Sequence, residues 1–139
     1  MTPVNPLPPV LREFEFQLRV RYRETDGQGR VHHSNYLNYF EIARVEMLRA
    51  SGRNYKDLED AGILLVVTQA TCNYYRGAEY DDLLTIKATV VEARKVRVVH
   101  RYEISLDGER VADGQTVVAA VNRDGKPVRL PEWLQLDRS

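Results

Sequence analysis

The sequence predicts an α+β fold, a single domain in which a five-stranded antiparallel sheet is covered by one long helix. Three observations carry this reading. One alternating segment and one long helical segment come first, and four strand-like segments follow. Those last segments are joined largely by short turns, and Asp107-Gly108 is the strongest hairpin signal in the chain. The 139 residues (16.0 kDa) can bury roughly two-thirds of the unfolded chain's surface in one core, and are too few for two cores.

Four of the six prolines (Pro3, Pro6, Pro8, Pro9) fall in the first nine residues, so residues 1–12 read as an extended lead-in and residues 13–139 as the domain. From Phe14 to Tyr22 apolar and polar residues alternate. Phe14, Phe16, Leu18, Val20 and Tyr22 share one face of a half-buried strand. A polar loop, 23–33, follows with Gly27 and Gly29, and Ser34 or Asn35 can cap the next element. Tyr36, Phe40, Ala43, Met47 and Ala50 then recur at helical spacing, which gives a helix over 35–51 closed by Gly52. A short second helix fits 55–60. Strands are expected over 63–75, 83–93, 96–106 and 110–122, with Asp124-Gly125 turning into a short segment that ends around Trp133.

Twenty basic and twenty acidic residues cancel, whereas a duplex-binding protein carries a basic excess, so nucleic-acid partners are disfavoured. The only cysteine, Cys72, sits in an apolar-leaning run and reads as an inert thiol rather than a nucleophile. No segment has the apolar length of a membrane span and no signal-type stretch opens the chain, so a cytoplasmic, soluble protein is expected. His32 and His33 lack further ligands at metal-binding spacing, so no metal site is expected.

Tyr22, Asp26, His32, His33 and Asn35 cluster between the first strand and the long helix. A helix N-terminus offers unpaired N–H groups and partial positive charge, which polarise a carbonyl or hold an oxyanion. A carboxylate at Asp26 on the loop leading there would stay ionised. Together these are parts for acyl-group hydrolysis. Spacing alone leaves a second reading open, in which Asp26 merely favours the helix dipole and Tyr22 ends the strand's inner face. Glu41 and Glu46 share that ambiguity, since Glu46 can simply pair with Arg49 three residues on, and His100 reads as a packed or surface strand residue rather than a ligand.

The run Tyr22-Arg23-Glu24-Thr25-Asp26-Gly27-Gln28-Gly29-Arg30-Val31-His32-His33-Ser34-Asn35-Tyr36-Leu37, followed by Phe40-Glu41-Ile42-Ala43-Arg44, resembles the signature of hotdog-fold acyl-CoA thioesterases, in the 4-hydroxybenzoyl-CoA thioesterase and YbgC-like branch. The segments 75–84 and 122–127, with Pro131, are similar to the family's third-strand entry and its last strand and tail. The resemblance implies a sheet wrapped around the long helix, a homodimer or homotetramer with sites at subunit boundaries, and hydrolysis of an acyl-CoA without metal or redox cofactor. It implies that Asp26 is the catalytic carboxylate, as nucleophile or general base. Tyr22 and His33 assist, and the His33 N–H polarises the carbonyl.

Two positions depart from the pattern. His32 stands where tyrosine is usual and Arg30 where a small or apolar residue is common, both beside the acyl site. Tyr36 is a candidate substrate contact, and Tyr36, Phe40, Val67, Tyr74 and Tyr75 would shape the pocket. Arg76, Arg94, Lys95 and Arg97 are candidate partners for the coenzyme A phosphates, Arg76 foremost, and the other reading of each is a cation on a solvated strand face. The rival functions are a non-catalytic acyl-CoA or acyl-carrier sensing module, which would not need Asp26, and a hydratase, whose local pattern is not found.

Overall fold

The period-two pattern near the start produces β1 (Glu13–Arg19), with Phe14, Phe16 and Leu18 half-buried and the residues between them exposed. The computed structural model describes residues 10–136; the proline-rich stretch 1–9 expected to be extended lies outside the described residues. Val10 is buried in the core, and the Leu11 N–H donates to Ser51 Oγ (3.1 Å).

The alternation stops earlier than the sequence predicts. Val20 is the last inward residue, fully buried and pinned by backbone bonds to Asp81 and Asp82. Glu24 Oε1 then accepts the Arg21 N–H (2.8 Å) and closes a 3-10 turn, Tyr22–Glu24. Tyr22 is therefore not the last inner side chain of the strand: it is 76% exposed.

Helix α1 (Asn35–Ala50) buries Tyr36, Tyr39, Phe40, Ala43, Arg44, Met47 and Leu48. The sequence-based helix ran one residue further; Ser51 is instead the C-cap, and Ala50 is exposed. Gly52 (φ 80°) donates to Arg49 O and Arg53 to Leu48 O, a Schellman closure that needs a left-handed residue at this point. Helix α2 (Tyr55–Asp60) starts where Asn54 Oδ1 accepts the Asp57 N–H (2.9 Å).

The remaining strands are β2 (Leu64–Tyr74), β3 (Leu83–Arg94), β4 (Arg97–Leu106) and β5 (Glu109–Val121). All pairings are antiparallel and the spatial order is β1-β3-β4-β5-β2. Asp107 and Gly108, both with positive φ (51° and 82°), form the predicted two-residue turn between β4 and β5. The edge strand β2 leaves Val66, Val67 and Tyr74 exposed although their types are core types.

Helix α1 crosses the sheet through Phe40, whose ring stacks on Tyr102 (4.3 Å between centroids, 7° between planes). The Arg44 guanidinium donates to Tyr102 Oη (3.1 Å), and that oxygen lies 2.6 Å from Thr116 Oγ1. This polar line under the helix explains how a buried arginine is tolerated. Beside it His100 is buried, with Nδ1 unpartnered among the described residues.

Burial, and secondly the Arg44 charge, push the His100 imidazole down from 6.5 to about 3. The folded chain thus binds fewer protons than the unfolded chain between those values. Stability from this group is full above about pH 6.5 and is lost as pH falls toward 3, at up to about 1.4 kcal/mol per pH unit. His100→Phe should flatten this fall. The check is the urea midpoint at about pH 7 and about pH 4.5 for both proteins, and an unchanged difference would refute it.

Candidate active site

The loop between β1 and α1 is folded by its own backbone. The Asp26 N–H donates to Arg30 O (2.7 Å), Gly29 N–H to Asp26 O (3.0 Å), and Val31 N–H to Ala78 O (2.8 Å). Asp26 Oδ1 accepts the N–H groups of Gln28 (2.8 Å) and Arg30 (3.3 Å). These bonds, chiefly the one from Gln28, hold the Asp26 carboxyl below its ordinary value, so it is ionised at neutral pH.

The loop is docked on the helix by Glu24 and Asn35. The Glu24 carbonyl accepts the His32 N–H (2.9 Å) and Asn35 Nδ2 (2.8 Å), and its carboxylate accepts the buried Tyr39 hydroxyl (3.1 Å). Burial and the Glu24 carboxylate push the Tyr39 phenol far up, which keeps it a donor. Sequence reasoning did not single out this clamp, although a glutamate and an asparagine flanking a loop are its visible trace.

At the helix entry Ser34 is the N-cap but makes no side-chain cap bond. Its N–H and hydroxyl both lie near His32 Nδ1 (3.2 and 2.8 Å). The His33 N–H has no acceptor among the described residues. His33 stacks on His32 (4.2 Å), and the Tyr74 hydroxyl donates to His33 O (3.2 Å). Partial burial pushes the Tyr74 phenol up to about 12.

Asp26, His33, Tyr36 and Arg76 line one open cleft of about 350 Å3, together with Gln28, Arg30, Tyr74 and Tyr75. Of the site residues expected from the sequence, Asp26, His33, Tyr36 and Arg76 therefore meet, while His32 and Asn35 are not in the cleft lining. Tyr22 is not among the residues that line it; its ring stands edge-on to Tyr80 (5.6 Å), itself exposed. Arg76 is ion-paired with Glu109. Arg94 and Arg97 pair with Glu92 by the β3–β4 turn, and Lys95 lies in that turn. None of the three lines the cleft. Glu46 does pair with Arg49. Glu41 lines a different groove with Arg44, Arg49 and Lys56 between α1 and α2. Cys72 is half-buried, with its thiol pushed up by burial. Among the described residues no helix is long and apolar enough to cross a membrane.

A five-stranded antiparallel sheet wrapped on one long helix, with this cleft at the helix entry, defines a hotdog-fold enzyme of the thioester-hydrolase class. The chain belongs to the thioesterase superfamily, whose family model matches residues 28–112. Tyr22 and Asp26 precede that match. The chain is 31% identical over 121 residues to the acyl-CoA thioesterase YbgC of Haemophilus influenzae, covering 86% of this chain and 89% of that one. It is similar to the solved DHNA-CoA thioesterase of Staphylococcus aureus, at 33% identity and a TM-score of 0.81, covering 85% and 80% of the two chains. The 4-hydroxybenzoyl-CoA thioesterase of Pseudomonas sp. strain CBS-3 shares the fold, with a TM-score of 0.79 at 22% identity over 87% and 95% of the chains.

Proposed function

We propose that the protein is a cytoplasmic acyl-CoA thioesterase that hydrolyses a short-chain or aromatic acyl-CoA to the free acid and coenzyme A. The observation that carries the reading is an ionised carboxylate, Asp26, sharing a cleft with a helix entry whose His33 N–H has no acceptor among the described residues. The thioester carbonyl is polarised by that N–H and by the helix dipole. Asp26 acts in one of two ways. As nucleophile it attacks the carbonyl and expels the CoA thiolate, and water then splits the mixed anhydride. As general base it takes a proton from water, which attacks directly; the thiolate leaves and is protonated. The His33 side chain, which lines the cleft, assists. Tyr36 contacts the acyl group, and Arg76 helps hold the substrate. The reaction consumes only water, and no metal or further cofactor is proposed.

A second subunit fits the same reading. The edge strand β2 exposes Val67 (51%), Tyr74 and their backbone, which is a pairing surface. Tyr74 belongs both to that edge and to the cleft, so a partner paired along β2 adjoins the site. A homodimer or homotetramer is expected in analytical ultracentrifugation. Val67→Lys should shift the protein toward monomer, and an unaffected mass would exclude this edge.

The functional test is thiol release from a panel of acyl-CoAs. Turnover of at least one short-chain or aromatic ester is expected. Binding without turnover of any ester would replace the enzyme by the sensing module.

A further inference from the structure

Two cations line the Asp26 cleft, and they differ in what surrounds them. Arg76 is already paired with Glu109. The Arg30 guanidinium makes no hydrogen bond or ion pair with any described residue, Asp26 included. Asp26 Oδ1 is itself held by backbone N–H groups. Tyr36, Tyr74 and Tyr75 line the same cleft together with Gln28, Val31 and His33, so it presents one fork of donors with no partner among the described residues beside three aromatic residues.

The fork is also positioned. Arg30 is bridged to Glu79 across the loop, and its side chain lies along the bare backbone of Gly77. A Cβ at Gly77 would stand 2.8 Å from Arg30 Cδ and 3.2 Å from Nε. Gly77 therefore supplies the shelf on which the arginine rests.

From this placement we infer that Arg30 forms an anion subsite and that the favoured acyl group carries a carboxylate. The inference rests on the thioesterase reading and names its substrate class. Reach decides where the anion sits. The Arg30 backbone N–H lies 3.3 Å from Asp26 Oδ1, so the guanidinium stands about one arginine side chain's length from the carboxylate that faces the reacting carbonyl. The phosphates of coenzyme A hang beyond the pantetheine arm, which is far longer than an arginine side chain. An anion within reach of Arg30 therefore belongs to the acyl side.

The test compares kcat/KM for two matched pairs, adipoyl-CoA against hexanoyl-CoA and 4-carboxybenzoyl-CoA against benzoyl-CoA. Wild type should favour the carboxylated member at least about tenfold, the scale of a charge-assisted bidentate contact. Arg30→Val should bring the ratio to about one or lower, and Arg30→Lys should retain part of it. Gly77→Ala keeps the guanidinium but displaces it, and should also lower the ratio. The same pairs as N-acetylcysteamine thioesters, which lack the phosphates, should show the same Arg30 dependence. Two results would overturn the subsite. One is a ratio unmoved by Arg30→Val. The other is an equal loss on every CoA ester and none on the N-acetylcysteamine esters, which would assign Arg30 to the phosphates. If wild type cleaves none of these esters, the thioesterase reading fails separately. Calorimetric Kd values for adipoyl-CoA and hexanoyl-CoA on wild type and Arg30→Val then decide the subsite, since an Arg30-dependent preference supports it and its absence overturns it.

Discussion

Asp26→Asn is expected to lower kcat/KM by at least about a hundredfold, the scale of a lost nucleophile or general base. The substitution is narrow by design. Asparagine keeps the shape, and its Oδ1 can still accept the Gln28 and Arg30 N–H groups that fold the loop. What disappears is the negative charge and the basic lone pair. The melting temperature should therefore stay close to wild type while thiol release collapses. The same two N–H groups fix the sign of the pH dependence. They hold the Asp26 carboxyl below its ordinary 3.8, so the reactive form survives as pH falls through that value. An acid limb of kcat/KM at higher pH must then come from another group. Equal activity in the two proteins would remove Asp26 from the chemistry.

Gly114→Ala is expected to be the most damaging single methyl in the core. Gly114 lies in β5 opposite Tyr102 of β4 and Cys72 of β2. An added Cβ would stand 2.3 Å from the Thr71 carbonyl oxygen, 2.5 Å from Phe40 Cε2 and 2.8 Å from Phe40 Cζ. The first of these is backbone of a paired strand and cannot swing aside. The ring is clamped by its stack on Tyr102. Relief would require moving α1 off the sheet or breaking the β2–β5 ladder. Overpacking of this kind costs about 3 kcal/mol, which lowers Tm by on the order of 10 °C in a domain of this size. Gly27→Ala is the matched control for stability, since a Cβ there meets nothing within 4 Å. Calorimetric melting of the two variants checks this, and similar Tm values would refute the close-packing argument.

The order of elements was legible because each carries a local signal. Period-two alternation marks β1, the 3.6-residue pattern marks α1, and Asp107-Gly108 marks the β4–β5 turn. Helix α2 was placed at its observed bounds ahead of Gly62, and its Asn54 cap is seen only in the structure. Tyr22 was misplaced on the strand's inner face because alternation cannot register a Glu24 carboxylate that turns the chain three residues on. Asp26 and His33 were grouped by their place between β1 and α1, whereas spacing could not show that Arg76, arriving from beyond the end of β2, joins them. The Glu24–Tyr39 clamp and the Gly77 shelf under Arg30 stayed invisible because both depend on contacts between distant segments. The exposed valines of β2 look like core in sequence, and only the strand order shows that they lie on an edge.

The most direct test of the account is a crystal structure of the protein with an acyl-CoA analogue in which a methylene replaces the thioester sulfur. The ketone oxygen is expected at the His33 N–H, the carbonyl carbon facing Asp26, and the acyl chain among Tyr36, Tyr74 and Tyr75. An analogue seated instead in the groove between α1 and α2, beside Glu41, Arg49 and Lys56, would contradict it and move the chemistry away from Asp26.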